Sequence, residues 1–386
     1  MLLPNFGSNT AFFILAIVSI SLALIACLAG FYEKFRLELK LSWNVVPVFV
    51  ATLLIFIYPK EWNLRSLSSG SNVYFMPSDK GPVLDFSESV DGGITSVVGE
   101  EGGLITLLTN GKFQGNNAPG GEMVAQESFA LIPILHTSSR NNALVIGYGT
   151  GMSASVLYDQ GFKKLDIVEL SKDVVDLADK YFHELNKRVS SQPEVSMIYT
   201  DGRNYLLTQD ESYDLISMEI SSIWFAGAAN LYNKEFYSIA KKRLTREGVL
   251  QQWVQLHHMQ PLDLIYIVNT VRSEFKYVWI YFSGGQGIIV ASNSDASLNR
   301  YNALEPAKGE SLTALKQKED GLRDRMIISP KGVDILAASF DPSLSFLIST
   351  DTNLYLEYST PKGNALQVDT IEPNLRLLAH FEKMVR

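Results

Sequence analysis

Two long apolar stretches without charged side chains occupy the first sixty positions of the chain. The first covers residues 10–30, within an uncharged region that runs from residue 1 to residue 32, and it is long enough to cross a bilayer as a helix. The second covers residues 41–59 and is just long enough. The pattern predicts a hairpin of two transmembrane helices over residues 1–60, in a multi-pass protein of the inner (plasma) membrane. A secretory signal peptide is the alternative for the first stretch, and a buried helix or strand is the alternative for the second.

The basic residues around these stretches do not agree on an orientation. Lys34, Arg36 and Lys40 lie between the two stretches, and the positive-inside rule would then leave the C-terminal part of the chain outside. Lys60 and Arg65 follow the second stretch and favour the opposite orientation. Because the excess is small, the charges alone do not decide.

Short β-rich segments separated by turn-forming residues follow the apolar stretches. Residues 93–98 and 104–108 have the composition of strands, and Asn110-Gly111 is a dipeptide that favours a tight hairpin turn. We therefore predict a small antiparallel β domain over residues 61–118.

A strand, a glycine-rich turn and a helix form the next recognisable unit, after an amphipathic helix predicted over residues 121–135. Residues 143–146 are a short apolar run typical of a buried parallel strand, Gly147-Tyr-Gly-Thr-Gly151 follows at once, and residues 152–160 have a helical pattern. Glycines let the backbone approach a ligand closely, and the start of a helix offers unpaired N–H groups. The pattern favours a nucleotide-binding βα unit, although such a turn can also be only a tight connection.

Acidic residues follow three successive predicted strands, which cover residues 164–168, 195–199 and 213–218. These residues are Glu169, Asp201 and Glu219, and the carboxyl ends of parallel strands form the ligand-binding edge of an open α/β sheet. A carboxylate about 20 residues after the glycines suits a ribose diol, and Asp201 could accept a hydrogen bond from an adenine amino group. Three acids would repel a phosphate, so the pattern favours adenosine attached to a cationic or neutral group. Taken singly, each acid could instead be a helix N-cap or a solvated turn residue.

Composition and charge exclude several classes of protein. The 386 residues allow two or three folded units, and 46% apolar with 19% charged residues is typical of a packed protein. The formal charge of −8 argues against a nucleic-acid-coating protein. Cys27 is the single cysteine, so neither an internal disulfide nor a zinc cluster of cysteines can form. His257 and His258 cannot both point one way from a strand, and no metal site is predicted.

Several short motifs follow one another along the chain. They are Gln126-Glu127, Val145-Ile-Gly-Tyr-Gly-Thr-Gly151, Val168-Glu169, Asp201-Gly-Arg-Asn-Tyr-Leu206, Tyr213-Asp-Leu-Ile216, Trp224-Phe-Ala-Gly-Ala-Ala-Asn-Leu-Tyr232 and Thr350-Asp-Thr-Asn-Leu-Tyr-Leu-Glu-Tyr358. Together they resemble the spermidine synthases, or polyamine aminopropyltransferases, and in particular their membrane-fused bacterial relatives. The resemblance runs from about residue 85 to the C-terminus.

The resemblance implies a fold and a domain order. The fold would be a seven-stranded, methyltransferase-like Rossmann domain of the α/β class over residues 119–297, behind the small β domain. A C-terminal extension over residues 298–386 would pack on the catalytic domain. Because the adenosyl substrate is made in the cytosol, the catalytic domain would face the cytoplasm, and synthases of this type usually form homo-oligomers.

The resemblance also implies the ligand and the roles of the candidate residues. S-adenosylmethionine or its decarboxylated form would be a co-substrate, without a tightly bound cofactor, and a small-molecule amine would be the acceptor. The glycine turn would face the sulfonium, Glu169 would hold the ribose, and Asp201 would take the adenine amino group. Glu219 would be the catalytic base. The residues further assigned are Gly147, Gly149 and Gly151 for the turn, Gln126 and Gly202 for the donor, and Tyr281 for the amine site.

Three departures from the family pattern leave the acceptor open. Glu219 stands where the family has Asp, Ser222 stands where a second Asp is expected, and Ala125 replaces a tyrosine. A spermidine synthase-like aminopropyl transfer is the first hypothesis. A methyltransferase, or a lyase or cyclase that breaks another bond of the sulfonium, is the alternative in the same pocket. A non-catalytic sensor of an adenosyl ligand is the alternative from another class.

Overall fold

The computed structural model describes residues 3–34, 45–59, 61–76, 81–89, 93–220, 222–225, 227–295, 303–308, 310–340, 347–366 and 368–385. Helices and strands largely alternate between residues 122 and 283. The helices are α1 Leu3–Lys34, α2 Val45–Phe56, α3 Leu64–Leu67, α4 Ser71–Tyr74, α5 Glu122–Ile134, α6 Met152–Asp159, α7 Lys172–Tyr181, α8 His183–Asn186, α9 Gly202–Thr208, α10 Lys234–Arg243, α11 Pro261–Glu274, α12 Leu312–Arg323, α13 Pro330–Ala338, α14 Tyr355–Leu366 and α15 Ile371–Lys383. The strands are β1 Val83–Glu88, β2 Ile94–Gly99, β3 Ile105–Thr109, β4 Lys112–Asn116, β5 Asn142–Ile146, β6 Lys164–Glu169, β7 Val195–Tyr199, β8 Tyr213–Met218, β9 Leu244–Val254, β10 Tyr277–Ser283, β11 Gln286–Ser292 and β12 Met326–Ile328.

The N-terminal helix α1 contains one segment that could span a membrane by its length and composition. This segment, Phe6–Ala26, has 21 residues, a mean hydropathy of 2.3 and mostly exposed side chains. Helix α2 lies beside α1 but has only 12 residues, which extend about 18 Å, whereas the hydrocarbon core of a bilayer is about 30 Å thick. The predicted hairpin of two transmembrane helices is therefore not confirmed. The basic loop between the two stretches lies outside the described residues.

The small β domain is an antiparallel sheet of four strands in the order β1-β2-β3-β4. The turn between β3 and β4 is the predicted Asn110-Gly111 pair, with φ of 52° and 77°. Positive φ at both central residues is what a type I′ hairpin turn requires. The sheet rests on α7, where Asp85 pairs with Lys180 at 2.6 Å and Ser87 donates to Asp173 at 2.6 Å. The β domain is thereby held beside the carboxyl end of the main sheet.

The main sheet has the α/β architecture that the sequence predicts, with one strand more than expected. Its order is β12-β10-β11-β9-β8-β5-β6-β7, with parallel pairing from β9 to β7 and antiparallel pairing from β9 to β12. The predicted number of seven strands is corrected to eight because Met326–Ile328, which comes from the C-terminal extension, pairs with β10. A segment of three residues is too short to produce a recognisable periodic pattern.

Helices cover both faces of the main sheet, and the alternation of side chains along β5 shows how. Ala143 and Val145 belong to one buried cluster, together with residues of α5, α6 and α7. Leu144 and Ile146 point to the other face and belong to a second buried cluster, formed with α10, α11, α13 and α15. The sheet is buried on both faces, so its carboxyl edge is the place where a cavity can open.

Candidate active site

The glycine turn after β5 adopts a backbone conformation that requires glycine. Gly147, Gly149 and Gly151 have φ of 95°, 52° and 80°, in the left-handed region that other residues rarely adopt. A Cβ atom at Gly151 would lie 2.5 Å from the ring of Tyr148 and 2.8 Å from Cβ of Asn186. The turn therefore leads directly into the start of α6, with its backbone close to neighbouring side chains.

Glu169 lies at the end of β6, next to the glycine turn. One carboxylate oxygen accepts the backbone N–H of Tyr148 at 2.8 Å, and the other accepts that of Ser171 at 3.0 Å. Burial raises the pKa of the Glu169 carboxyl, although these backbone hydrogen bonds and the ammonium of Lys112 act in the opposite direction. Burial also lowers the pKa of Lys112 to about 8, and Glu169 partly offsets this shift. The hydrogen bonds fix the carboxylate at the sheet edge, with lone pairs left to accept further hydrogen bonds.

Asp201 and Gly202 have local structural roles. Asp201 is exposed and is the N-cap of α9, where its carboxylate accepts the N–H of Asn204 at 2.8 Å. Gly202 is buried, and a Cβ atom there would lie 2.4 Å from the side chain of Ile146. Neither residue lines the cavity that contains Glu219. The N-cap alternative is what the structure shows for Asp201, while its contact with adenine stays a prediction.

A cavity of about 390 Å³ opens at the carboxyl edge of the sheet, between the main domain and the β domain. It brings together Gln126, Gly149 and Glu219 of the predicted site, whereas Gly147, Gly151 and Glu169 lie outside its wall. The residues that line it are Tyr74, Phe113, Gln114, Glu122, Gln126, Phe129, Tyr148, Gly149, Thr150, Glu219, Ser222, Trp224, Trp253, His257, His258 and Gln286. Its volume is suited to a small molecule.

Glu219 follows β8, and its backbone N–H donates to the carbonyl of Ile146 at 3.0 Å. Its carboxyl group is half-buried in the cavity wall, and burial raises its pKa to about 8. The neighbouring Glu122 raises the pKa further, and the hydroxyls of Ser153 and Ser217 act against this shift. A carboxyl group with a pKa near neutrality can exchange a proton with a substrate at physiological pH.

Glu122 is a second acid in the cavity that the sequence analysis did not single out. Its carboxylate accepts the side-chain N–H of Gln126 at 2.9 Å, and the amide oxygen of Gln126 accepts the hydroxyl of Thr150. Burial raises the pKa of Glu122, and the hydrogen bond from Gln126 opposes the shift. The spacing of four residues on α5 places Glu122 and Gln126 on one face, which is the signal that could have found it. Glu127 instead pairs with Lys318 at 2.8 Å.

The two adjacent histidines both line the cavity, which corrects the argument made from the sequence. That argument placed them on a strand, but β9 ends at Val254 and His258 has a φ of 54°. This left-handed residue brings the two imidazole rings to the same wall, with their centroids 5.3 Å apart. Burial, together with His258, lowers the pKa of His257 to about 4, so its ring is uncharged at neutral pH.

Tyr281 does not line the cavity. It lies in the middle of β10, is fully buried, and its hydroxyl hydrogen-bonds Nε2 of His136 at 2.8 Å. Burial raises the pKa of its hydroxyl well above the ordinary value, so this group stays protonated. The position gives Tyr281 a packing role and lends no support to the predicted contact with an amine.

A comparison with protein families identifies the part of the chain that supplies most of the residues lining this cavity. Residues 122–301 match the model of the spermine/spermidine synthase domain. This part of the chain belongs to the spermine/spermidine synthase family. This result confirms the resemblance noted in the sequence.

Curated relatives of this chain carry the name polyamine aminopropyltransferase. The protein from Methanocaldococcus jannaschii is 28% identical over 229 residues, which are 57% of this chain and 74% of that protein. The protein from Alkaliphilus metalliredigens is 32% identical over 130 residues, or 33% of this chain and 45% of that protein. The protein from Korarchaeum cryptofilum is 25% identical over 155 residues, or 40% and 48% of the two chains. These matches confirm the prediction of a transferase enzyme of this family, although two of them span less than half of the relative's length.

Solved spermidine synthases share the fold of this chain. The spermidine synthase from Thermotoga maritima superimposes with a TM-score of 0.53 at 16% identity, covering 67% of this chain and 88% of that chain. A spermidine synthase in complex with the transition state analogue AdoDATO superimposes with a TM-score of 0.51 over the same shares. The Rossmann-like, methyltransferase-like fold expected from the resemblance is therefore confirmed.

Proposed function

We propose that the chain transfers an aminopropyl group from decarboxylated S-adenosylmethionine to a polyamine such as putrescine and releases methylthioadenosine. The observation that carries this proposal is the cavity in which Glu219 and Glu122 lie between aromatic walls, beside the glycine turn. Carboxylates stabilise ammonium groups, and the faces of Trp and Tyr attract cations. The family membership and the neighbour solved with AdoDATO support an adenosyl donor.

The donor would lie along the edge formed by β5 and β6. Glu169 would accept hydrogen bonds from the ribose hydroxyls, since its two oxygens are already held by backbone N–H groups. Gly147, Gly149 and Gly151 would let the backbone approach the sulfonium, and Gln126 would face the aminopropyl chain. Asp201, at the start of α9, would accept the adenine amino group. Each of these roles is a proposal based on position and residue type.

The reaction needs a neutral amine, a carbon held in line with the leaving group, and a counter-charge. Glu219 would take a proton from the acceptor ammonium, and the freed nitrogen would attack the aminopropyl carbon that carries the sulfonium. A C–N bond forms while the C–S bond breaks, and the electron pair of the C–S bond returns to sulfur, which leaves neutral methylthioadenosine. Glu122 would lie beside the ammonium group at the other end of the acceptor, which stays positively charged. Fixed orientation of the two substrates supplies much of the acceleration.

We further propose that α1 anchors the enzyme in the inner membrane, with the catalytic part on the cytoplasmic side. The apolar segment Phe6–Ala26 supports an anchor, and the cytosolic origin of the donor supports the orientation. A return span through α2 is supported by the way its end meets the start of α1. There Tyr58 donates to the carbonyl of Asn9 at 3.1 Å, and the Asn9 amide donates to the carbonyl of Pro59 at 3.1 Å. The homo-oligomer implied by the family stays a prediction.

Product identification tests the proposed reaction. The purified, detergent-solubilised protein is incubated with S-adenosylmethionine or its decarboxylated form, with and without putrescine, and the products are identified by mass spectrometry. Spermidine together with methylthioadenosine supports the proposal. Adenosylhomocysteine would indicate methyl transfer, methylthioadenosine formed without an amine would indicate a lyase or cyclase, and tight binding without any product would indicate a sensor.

A further inference from the structure

The loop between β9 and α11 carries two imidazole rings into the wall of the cavity. His257 and His258 both line it, and the rings meet edge to face at 5.3 Å. A non-glycine residue with positive φ, such as His258 at 54°, costs free energy and persists only where its surroundings hold it in place. The loop therefore needs partners outside itself.

Two buried side chains of the C-terminal extension bind the backbone of this loop. The hydroxyl of Thr370 donates to the carbonyl of Leu256 at 2.9 Å and accepts the N–H of Met259 at 2.9 Å. The amide nitrogen of Asn374 donates to the carbonyls of Leu256 and Met259, each at 2.8 Å. Four hydrogen bonds from two side chains thus hold both ends of the histidine pair.

Helix α14 supports the same loop from a second side. A Cβ atom at Gly363 would lie 2.0 Å from the carbonyl oxygen of His258, so the helix backbone packs directly against the loop. Ser359 donates to the carboxylate of Asp263 at 2.7 Å, in the first turn of α11. Tyr266 and Tyr355 stack at 4.1 Å with an angle of 11° between the rings. The C-terminal helices therefore fix the loop and the helix that follows it.

The order of strands places this loop at the end of the cavity opposite the proposed donor, where the acceptor amine would enter. Along the carboxyl edge, the sheet order β9-β8-β5-β6 gives the sequence histidine loop, Glu219, glycine turn and Glu169. The proposed donor occupies the end with the glycine turn and Glu169. An amine that attacks the donor past Glu219 must then approach from the end with the histidine loop.

We propose that the C-terminal extension is a working part of the active site, in which Thr370 and Asn374 are positioning residues that hold His257 and His258 against the acceptor amine. The assignment of this end of the cavity to the acceptor amine rests on the proposed function. The imidazole of His257, which burial keeps uncharged at neutral pH, offers a nitrogen lone pair that can accept a hydrogen bond from an ammonium. Thr370 and Asn374 touch neither substrate and act only through the loop.

Isosteric substitutions separate positioning from packing. Thr370→Val keeps the shape and removes the hydroxyl, Thr370→Ser restores it, and Asn374→Asp removes both N–H donors. We expect Thr370→Val and Asn374→Asp to raise the KM for putrescine about tenfold or more, while the KM for decarboxylated S-adenosylmethionine changes less than about twofold. Thr370→Ser retains the acceptor KM. Leu378→Ala is the matched control, because it removes a fully buried side chain from α15 without touching the loop hydrogen bonds.

A double-mutant cycle shows whether the effect passes through the histidines. Adding Asn374→Asp to a chain that already carries His257→Ala and His258→Ala should raise the KM for putrescine by less than a further factor of about two, because the loop then has no imidazole ring left to position. The proposal is overturned if Asn374→Asp raises this KM by the same factor in the wild-type chain and in the chain that lacks both histidines. A parallel rise of both KM values that follows the loss of thermal stability, as Leu378→Ala would produce, also overturns it.

A readout without turnover keeps this inference separate from the proposed function. The chain has five histidines, so the imidazole resonances of histidine-labelled protein can be assigned by substitution, with exposed His380→Ala as a reference. The resonances of His257 and His258 should move in Thr370→Val and Asn374→Asp and stay in place in Leu378→Ala. Unchanged resonances overturn the inference whatever the reaction is. Failure of the wild-type protein to form methylthioadenosine with any amine overturns only the proposed function.

Discussion

Replacing Glu219 by Gln is the most direct perturbation of the proposed mechanism. The change keeps the shape of the side chain but removes a carboxyl group whose pKa is raised to about 8 by burial and by the nearby Glu122. General-base catalysis typically contributes about a hundredfold to ten-thousandfold, so we expect kcat to fall at least about a hundredfold. Donor affinity should change little, because the proposed mechanism assigns donor binding to Glu169 and the glycine turn.

The pH dependence follows from the direction of the shift. With a pKa of about 8, only about a tenth of Glu219 is ionised at pH 7, and about nine tenths is ionised at pH 9. The ratio of kcat/KM between the wild-type and Glu219→Gln proteins should therefore rise about tenfold from pH 7 to pH 9. Taking the ratio cancels the ionisation of the amine substrate, which is common to both proteins.

The stability of the protein supplies an independent check on the same group. Because the folded state raises the pKa of Glu219, its stabilising contribution is present below about pH 4.5 and is lost as the pH rises through about 8. The Gln variant should thus unfold at a higher temperature than the wild type at pH 9, with a smaller difference at pH 5.

The assay measures methylthioadenosine by mass spectrometry over pH 6.5 to 9.5, with exposed Glu184→Gln as the matched control. A ratio that is flat with pH, or a loss in kcat of less than about tenfold, would refute the assignment of Glu219 as the base.

Three further predictions concern the cavity and its support. Glu122→Gln should lower kcat/KM for the amine about tenfold. It should also move the ascending limb of the pH profile, where Glu219 ionises, to lower pH, since a negative charge that raises the pKa of Glu219 is removed; the control Glu127→Gln should leave both unchanged. Gly151→Ala should cost about 2–4 kcal/mol of stability by chemical denaturation, whereas Gly161→Ala, with φ 80° and open space around it, should cost only about 1 kcal/mol. Tyr281→Phe should lower the free energy of unfolding by about 1 kcal/mol and leave kcat/KM within about twofold of wild type. A larger loss of activity would indicate that Tyr281 contributes to the active site.

Local patterns were sufficient to predict much of the fold. The apolar run, the glycine turn and the helix that begins at Met152 were predicted within a residue of their observed bounds, because each depends on neighbours in the chain. The Asn110-Gly111 turn was predicted for the same reason. The eighth strand was not, since Met326–Ile328 is extended only because β10 offers it hydrogen-bonding partners.

The candidate site was harder to predict, because its walls come from distant parts of the chain. Three acids after three strands were visible, and Glu219 lies in the cavity as expected. Glu122 depends on how α5 faces the sheet, and the histidine pair depends on a left-handed residue that the C-terminal helices stabilise. Tyr281 shows the opposite case, in which the order of motifs suggested a contact that burial in β10 does not provide.

The short strand β12 also affects how copies of the chain can meet. An edge strand presents unpaired N–H and C=O groups that can recruit a strand from another molecule. Here β12 pairs with β10 around Ile280 and Tyr281, and the N–H of Phe282 donates to the carbonyl of Arg325 at 2.9 Å. A second molecule could extend the sheet at β10 only by displacing this segment. The C-terminal extension therefore leaves a strand of only three residues at this edge of the sheet, which offers little length for edge-to-edge pairing with another molecule.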